Sequence, residues 1–227
     1  MSGFRVLVFD WDGTLIDSAA RIVEAVHAAI GASGLDSRDD AQIRETIGLG
    51  MPEAVAALYP DEPATARERL AAAYREAFVR AAAERPASLF PGAAGALARL
   101  DGCGYLLAVA TGKSRAGLRR ELGRAGLAER FVITRTADEC GSKPHPRMLH
   151  EILDHCGADP AEALMVGDTL FDMEMAAHAG VPSLGVSWGA HDAERLAGAA
   201  TEGLVATFDG LLERLDPAGG RARPDTH

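Results

Sequence analysis

The sequence predicts an α/β protein whose parallel sheet is interrupted, after its first strand, by an all-helical insert. Two observations support this prediction. From residue 87 to 215, short apolar runs alternate with segments of helical spacing, as expected for parallel strands covered by helices on both faces. Between residues 18 and 86 every periodic segment has helical spacing. We therefore predict a core domain of residues 1–17 and 87–215, a helical domain of residues 18–86, and a disordered tail of residues 216–227.

The individual elements follow from short runs of sequence, taken in chain order. FRVLVF predicts the first strand because it is a short, valine-rich apolar run. The insert has apolar residues at helical spacing from Ile22 to Ile30, and further helices are predicted around residues 41–47, 52–58 and 63–84. After the interruption RPASLFPG, strands are predicted in GYLLAVA, FVITRTA, EALMVG and VPSLGVSW, with another segment around Val205. Helices are predicted in GALARL, SRAGLRRELGRAG, PRMLHEILDHCG, FDMEMAAHAG, a short segment before Val205, and FDGLLERL.

Composition and charge limit the class of partner. The 227 residues carry a formal net charge of −10 at pH 7, so we expect no nucleic-acid or membrane partner. The three cysteines lack metal-ligand spacing and are expected to stay reduced. The N-terminus runs into a strand without a leader, and no apolar run approaches the roughly 20 residues that span a bilayer. We expect a cytoplasmic protein that is a monomer or a weak homodimer.

Acidic side chains follow two of the predicted strands. Asp10 and Asp12 come after the first strand in VLVFDWDGTLIDS, and Asp168 follows another in LMVGDTLFD. The carboxyl ends of parallel strands meet at one edge of a sheet, so these side chains should converge there. Clustered carboxylates repel one another unless a cation neutralises them, and Mg²⁺ prefers oxygen ligands and phosphate. The sequence therefore predicts a Mg²⁺ site at this edge.

The same edge is predicted to hold a phosphate group. Thr111 ends a central strand, and Lys143 in GSKPHP lies in a loop that can reach the acids. Free backbone N–H groups at Gly13 and Gly112 would complete a phosphate cradle. Because the helical insert leaves the sheet at this edge, it would cover the site as a lid. We therefore expect a small phosphorylated metabolite as the partner.

These motifs resemble those of the haloacid dehalogenase superfamily in its phosphatase branch. DWDGT, a threonine after a central strand, a downstream lysine and GDTLFD occur in that order, and the resemblance covers nearly the whole chain. It implies a Rossmann-like parallel sheet as the core and a C1-type cap formed by the helical insert. FDWDGTLIDS and KPHPRML look most similar to the phosphoglycolate phosphatase-like subgroup.

The resemblance implies a catalytic role for several residues. Asp10 would be the nucleophile that forms an aspartyl-phosphate, and Asp12 the general acid that protonates the leaving group and later activates water. Thr111 would bind the transferred phosphoryl oxygens, while Lys143 would hold Asp10 and the phosphate charge. The protein would then be a hydrolase acting on phosphoric monoester bonds.

The resemblance also implies a set of metal ligands. Asp10, Asp168 and the backbone carbonyl of Asp12 would bind Mg²⁺, and Asp172 would either bind the ion or orient its ligands. The physical argument agrees, because a carboxylate attacks phosphorus only when the charges of both groups are screened.

Four other protein classes share part of this pattern, and each differs from the sequence at a specific position or segment. ATGKS resembles the end of a nucleotide-binding P-loop, but Leu107 stands where the first glycine would be required. A receiver domain that is phosphorylated without turnover would have neither the insert nor the second acid, Asp12. A sugar phosphomutase of the same superfamily would carry an arginine in the cap loop, where GLGMPEA has Met51. The dehalogenase branch lacks the second acid.

Five other expectations concern neighbouring residues. Asp17 is expected to cap the first helix of the insert. Trp11 is expected to pack under the insert or against the substrate entrance. His145 is expected to have a structural role, and Met173 with Met175 is expected to pack in a helix interface. Thr111 could instead cap the helix that begins near Ser114.

Overall fold

A six-stranded parallel sheet, in the order β3-β2-β1-β4-β5-β6, forms the core of the computed structural model, which describes residues 3–215. The predicted tail of residues 216–227 lies outside the described residues. The strands are β1 (Val6–Phe9), β2 (Leu106–Thr111), β3 (Ile133–Thr136), β4 (Ala163–Gly167), β5 (Ser183–Val186) and β6 (Leu204–Val205). The order reverses between β1 and β4, the kind of position beside which open parallel sheets bind ligands. The predicted α/β class is confirmed.

Helices cover both faces of the sheet. The helices of the core are α5 (Ala93–Gly102), α6 (Arg115–Ala125), α7 (Ala137–Cys140), α8 (Arg147–Cys156), α9 (Leu170–Ala179), α10 (Ala193–Ala199) and α11 (Phe208–Leu215). Because side chains alternate along a strand, Leu7 and Phe9 of β1 pack on the face that carries α5, α6 and α11. Val6 and Val8 pack on the opposite face against α8 and α9.

Four helices form the insert, as the apolar spacing predicts. They are α1 (Ala19–Ser33), α2 (Asp40–Arg44), α3 (Met51–Leu58) and α4 (Ala64–Glu84). They share a separate apolar cluster that includes Val26 of α1, Val55 of α3 and Leu70 of α4. The insert is joined to the core by two neighbouring segments, since Ile16 pairs with Leu89 in an antiparallel bridge.

Two short helical elements were not predicted from the sequence. Helix α7 has only four residues, and a 3₁₀ turn covers Pro160–Glu162. Elements of this length contain one turn or less, so they show no apolar periodicity. Met173 and Met175 are buried in the helix α9, as expected. Within residues 3–215, no helix has both the length and the apolar composition needed to cross a bilayer.

Candidate active site

Three carboxylates converge at the carboxyl edge of the sheet. Asp10 follows β1, while Asp168 and Asp172 lie after β4 and in the first turn of α9. One oxygen of each lies within 4.8 Å of the others, and all three side chains are buried. Lys143 Nζ lies 2.5 Å from Asp10 Oδ1 and 2.6 Å from Asp172 Oδ1. The structure thus brings together four of the predicted site residues.

Neighbouring donors fix the orientation of the two acids that follow β4. The hydroxyl of Thr14 donates to Asp168 Oδ1 at 2.6 Å, and the N–H of Ala190 donates to Oδ2 at 2.8 Å. Asp172 Oδ2 accepts from the hydroxyl of Thr169 at 2.7 Å, because both residues belong to the capping box of α9. Each acid therefore presents its carboxylate to the cluster in a fixed direction.

The electrostatics of the cluster favour a bound cation. Burial raises the pKa of Asp10 well above its usual value, despite the opposing charge of Lys143. Burial and the neighbouring charge of Asp172 raise the pKa of Asp168 to about 7. The pKa of Lys143 is also raised, because the attraction of Asp10 and Asp172 outweighs the effect of burial. One lysine therefore opposes three carboxylates, which leaves net negative charge in a buried space.

The donor set fits Mg²⁺. Asp10 Oδ2 is buried and has no hydrogen-bond partner among the described residues. Buried polar atoms are nearly always paired, so an unpaired carboxylate oxygen beside two other acids is a natural ligand for an ion. Mg²⁺ binds carboxylate oxygens and retains waters in sites of this kind. Asp10, Asp168 and Asp172 are the residues whose side chains could hold it.

Asp12 stands apart from the cluster. Its Oδ1 accepts from the hydroxyl of Ser18 at 2.7 Å, and its Oδ2 lies 2.9 Å from Lys113 Nζ. Its side chain is therefore not one of the converging carboxylates, which corrects the expectation that Asp12 would join Asp10 and Asp168 at this edge. That its backbone carbonyl binds the metal stays a prediction.

Lys113 is a site residue that the sequence reasoning missed. Its side chain, 8% exposed, lies between Asp12 and Glu121, and its ammonium stands 4.7 Å from the centre of the Phe78 ring. Burial disfavours the ammonium, but the charges of Asp12 and Glu121 outweigh it and raise the pKa of Lys113. Lys113 belongs to ATGKS, the segment that resembles the end of a nucleotide-binding P-loop. Its position two residues after Thr111, a predicted site residue, is the sequence feature that could have identified Lys113 as a site residue.

Glu121 joins the core to the insert at this point. Glu121 Oε1 pairs with the guanidinium of Arg21 in α1 at 2.8 Å, and both side chains are buried. Its other oxygen accepts from the indole N–H of Trp11 at 2.7 Å. The expected location of Trp11 needs correction, because the side chain packs in the core beside Phe131 and does not line the site cavity.

The predicted phosphate cradle is present only in part. Thr111 and Gly112 line the cavity beside Asp10 and Asp12. Thr111 Oγ1 accepts from the N–H of Lys113 at 3.2 Å, whereas Ser114 caps α6. The N–H of Gly13 is not free, because it donates to the carbonyl of Ile16 at 2.9 Å. The expectation that this N–H holds phosphate was therefore wrong.

Gly13 instead allows a close approach. Its φ of +87° lies in the region that favours glycine, and a Cβ there would stand 2.2 Å from Asp168 Oδ2. The residue therefore turns the chain sharply between Asp12 and Thr14. This turn directs the Thr14 hydroxyl to Asp168.

The insert is closed over the site. A Cβ on Gly112 would lie 2.4 Å from the carbonyl oxygen of Gly48 and 2.5 Å from that of Leu49, so the loop GLGM touches the core. The N–H of Gly50 donates to Ser142 Oγ at 2.7 Å. A cavity of about 290 Å³ remains between insert and core, lined by Asp10, Asp12 and Thr111 on one side and by insert residues on the other. The predicted lid arrangement is present.

Two neighbouring residues can now be placed. Asp17 is exposed and does not cap α1, because Ser18 occupies the N-cap position and its hydroxyl bonds to Asp12 instead. This corrects the expectation for Asp17. His145 is exposed, and its Nδ1 accepts from the N–H of Arg147 at 3.2 Å, in keeping with a structural role.

The chain is similar to known hydrolases over most of its length. Residues 7–186 match the family model described as haloacid dehalogenase-like hydrolase. The chain is 39% identical over 213 residues to the probable phosphatase IndB of Dickeya dadantii, covering 91% of each protein. It is 32% identical over 226 residues to a phosphoglycolate phosphatase of Mesorhizobium japonicum, covering 95% of this chain and 98% of that one. A predicted phosphoglycolate phosphatase from Haemophilus somnus has the same fold, with a TM-score of 0.84 at 21% identity, covering 94% of this chain and 99% of that one.

Proposed function

Since this chain belongs to the haloacid dehalogenase-like hydrolase family and is a phosphatase, we propose that it hydrolyses small phosphate monoesters with the help of Mg²⁺ and through a phosphorylated Asp10. One observation carries the proposal: Asp10 and Asp12 are two positions apart in the sequence, yet their side chains have different surroundings. Asp10 lies in the buried cluster with Lys143, whereas Asp12 is held outside it by Ser18 and Lys113. This arrangement supports covalent chemistry at Asp10 and proton transfer at Asp12.

In the first step the Asp10 carboxylate attacks phosphorus and the bond to the ester oxygen breaks. Lys143 holds Asp10 Oδ1 in place and balances part of the charge of the incoming phosphate. The hydroxyl of Thr111, at the end of β2, is placed to donate to a phosphoryl oxygen. Asp12, in its protonated form, gives its proton to the departing alcohol oxygen.

In the second step water attacks the phosphorus of the aspartyl-phosphate. Asp12, now a carboxylate, accepts a proton from that water, and the bond to Asp10 breaks with release of inorganic phosphate. Ser18 and Lys113 keep the Asp12 side chain in one orientation through both steps. The closed insert restricts the entry of other water molecules.

Asp10, Asp168 and Asp172, together with the backbone carbonyl of Asp12, would hold Mg²⁺ in this site. The ion supplies positive charge that lets two negatively charged groups approach each other. The support is the buried Asp10 oxygen, which has no partner among the described residues, together with the pKa values of Asp10 and Asp168, which burial and the neighbouring carboxylates raise.

Relatives named phosphoglycolate phosphatase support 2-phosphoglycolate as one of the substrates. The sequence does not favour a sugar phosphomutase. Such an enzyme is expected to carry an arginine in the cap loop, and Met51 occupies that position. The test of the proposal is release of inorganic phosphate from a panel of esters with Mg²⁺, compared with the same panel in excess chelator. Equal rates in chelator would contradict the role of the ion, and no release from any ester would contradict the proposed reaction.

A further inference from the structure

Most of the wall that the insert contributes to the cavity is apolar, although Thr46, Tyr74 and Arg75 also line it. Val26 of α1, Val55 and Leu58 of α3, and Leu70 of α4 line it and also belong to the apolar cluster of the insert. The half-buried Met51 lies at the start of α3, beside the loop that contacts Gly112. A leaving group that enters this space therefore meets hydrocarbon on the side away from Asp10.

The charged groups around the cavity leave little to bind a second anion deep inside it. Lys113 is the buried cation of the lining, and its ammonium is already paired with Asp12 and Glu121. Arg75 and Arg120 also contribute to the lining, but both are exposed to solvent. A carboxylate on the leaving group would lose its hydration next to Val26 and Leu70 without gaining a buried partner, which is costly.

The size of the cavity also favours a leaving group that is larger than glycolate. Its volume of about 290 Å³ is close to the lower end of small-molecule pockets and exceeds what a two-carbon leaving group would fill. Space lined by hydrocarbon is best filled by hydrocarbon, and each buried methylene is expected to raise affinity about fourfold.

We propose, on the basis of the phosphatase function above, that the preferred substrate is a phosphate monoester whose alcohol carries an uncharged, apolar group larger than glycolate. Such a group would lie against the wall formed by α1, α3 and α4 while its phosphate meets Lys143 and Thr111. The enzyme then hydrolyses 2-phosphoglycolate less efficiently than an alkyl phosphate that fills the cavity.

The test uses ethyl, butyl and hexyl phosphate, the phosphate ester of 4-hydroxybutanoate, and 2-phosphoglycolate, all with Mg²⁺. We expect kcat/KM to rise about fifteenfold from ethyl to butyl phosphate, because two more methylenes are buried. Adding the terminal carboxylate of the 4-hydroxybutanoate ester should remove that gain. A higher kcat/KM for 2-phosphoglycolate than for butyl phosphate would overturn the proposal and leave the phosphatase function intact.

Binding provides a second readout that does not need turnover. The affinity of Asp10→Asn for the same esters, measured by calorimetry with Mg²⁺, should rise from ethyl to hexyl phosphate. If the wild-type protein hydrolyses no ester but this dependence on chain length is found, the proposed function fails and the apolar preference stands. Affinity that is independent of chain length overturns the preference.

Met51 allows the preference to be inverted. Met51→Lys places a cation beside the cavity and should lower kcat/KM for butyl phosphate while raising it for 2-phosphoglycolate. Met51→Leu is the matched control, since it keeps the wall apolar and should keep the order of substrates. Loss of the preference for butyl phosphate in both variants, with unchanged melting temperatures, would show that charge at this wall does not set the order and would overturn the proposal.

Discussion

Lys113 Nζ lies 2.9 Å from Asp12 Oδ2, which ties the proposed general acid to the interface between insert and core. The same ammonium lies 3.4 Å from Glu121, and Glu121 pairs with Arg21 of the insert. Asp12 is therefore connected, through three successive ion pairs, to the first helix of the insert. A lysine in this place can hold Asp12 in position and adjust its orientation to that of the insert.

The first prediction concerns this contact. Lys113→Met should lower kcat by roughly tenfold to a hundredfold, less than the full contribution of a general acid–base group, because Asp12 remains present but is held only by Ser18. The measurement is steady-state phosphate release, with circular dichroism to check folding. Arg119→Met is the matched control, since Arg119 is exposed on α6, the helix that follows Lys113, and does not line the cavity. A Lys113→Met protein that folds and keeps wild-type kcat would refute the positioning role.

The nucleophile can be tested directly. Asp10→Asn should abolish turnover and any covalently trapped phosphate, because an amide is a poor nucleophile. The measurement is phosphate release together with acid quenching and detection of a mass increase on the intact protein. Retention of more than a few per cent of the wild-type rate would show that another residue attacks phosphorus.

The second acid should give a different kinetic result. Asp12→Asn should slow turnover by roughly 10²–10⁴-fold through loss of proton transfer, while Asp10 remains able to attack. Esters with a good leaving group, such as p-nitrophenyl phosphate, need less protonation, so the first chemical step should suffer least with them. Equal losses for that step with good and poor leaving groups, measured by single-turnover experiments, would argue against a general-acid role.

Metal binding can be followed through stability as well as activity. Mg²⁺ should raise the melting temperature of the wild-type protein, because the folded state holds clustered carboxylates that the unfolded chain does not. Asp168→Ala should lose this dependence on Mg²⁺ while the fold survives, since one member of a repelling cluster is removed. Exposed Asp209→Ala serves as a control for the loss of one negative charge. An Mg²⁺-dependent shift that persists in Asp168→Ala would place the ion elsewhere.

The last prediction separates hydrolysis from phosphoryl transfer between hydroxyls. A mutase would need a fixed cation to hold the far phosphate of a bisphosphate, and arginine is best shaped for this grip. Met51 lines the cavity instead. We expect release of inorganic phosphate with negligible conversion of glucose 1-phosphate to glucose 6-phosphate, measured with Mg²⁺ and a trace of the bisphosphate. Isomerisation faster than phosphate release would favour the mutase.

The sequence by itself determined the fold class, the insert and two members of the acid cluster, Asp10 and Asp168, whereas Asp12 was expected in the cluster and lies outside it. Periodic apolar runs identify long elements because each of them must bury one face or both, and this is why α1–α4 and the main strands could be predicted. Asp10, Asp168 and Lys143 could be predicted because the edge at which parallel strands end is a property of topology, and topology follows from the order of the elements.

Only the tertiary structure decided which groups have partners. Gly13 looked like a free donor, yet its N–H bonds to Ile16. Ser18 rather than Asp17 occupies the N-cap of α1, and its hydroxyl bonds to Asp12. Lys113 could not be assigned from its own segment, since its partners Glu121 and Phe78 come from α6 and from α4. Hydrogen bonds and ion pairs depend on distances of a few ångströms between segments that are remote in the chain. Those distances are set by packing, whereas the periodic patterns that identify elements are local.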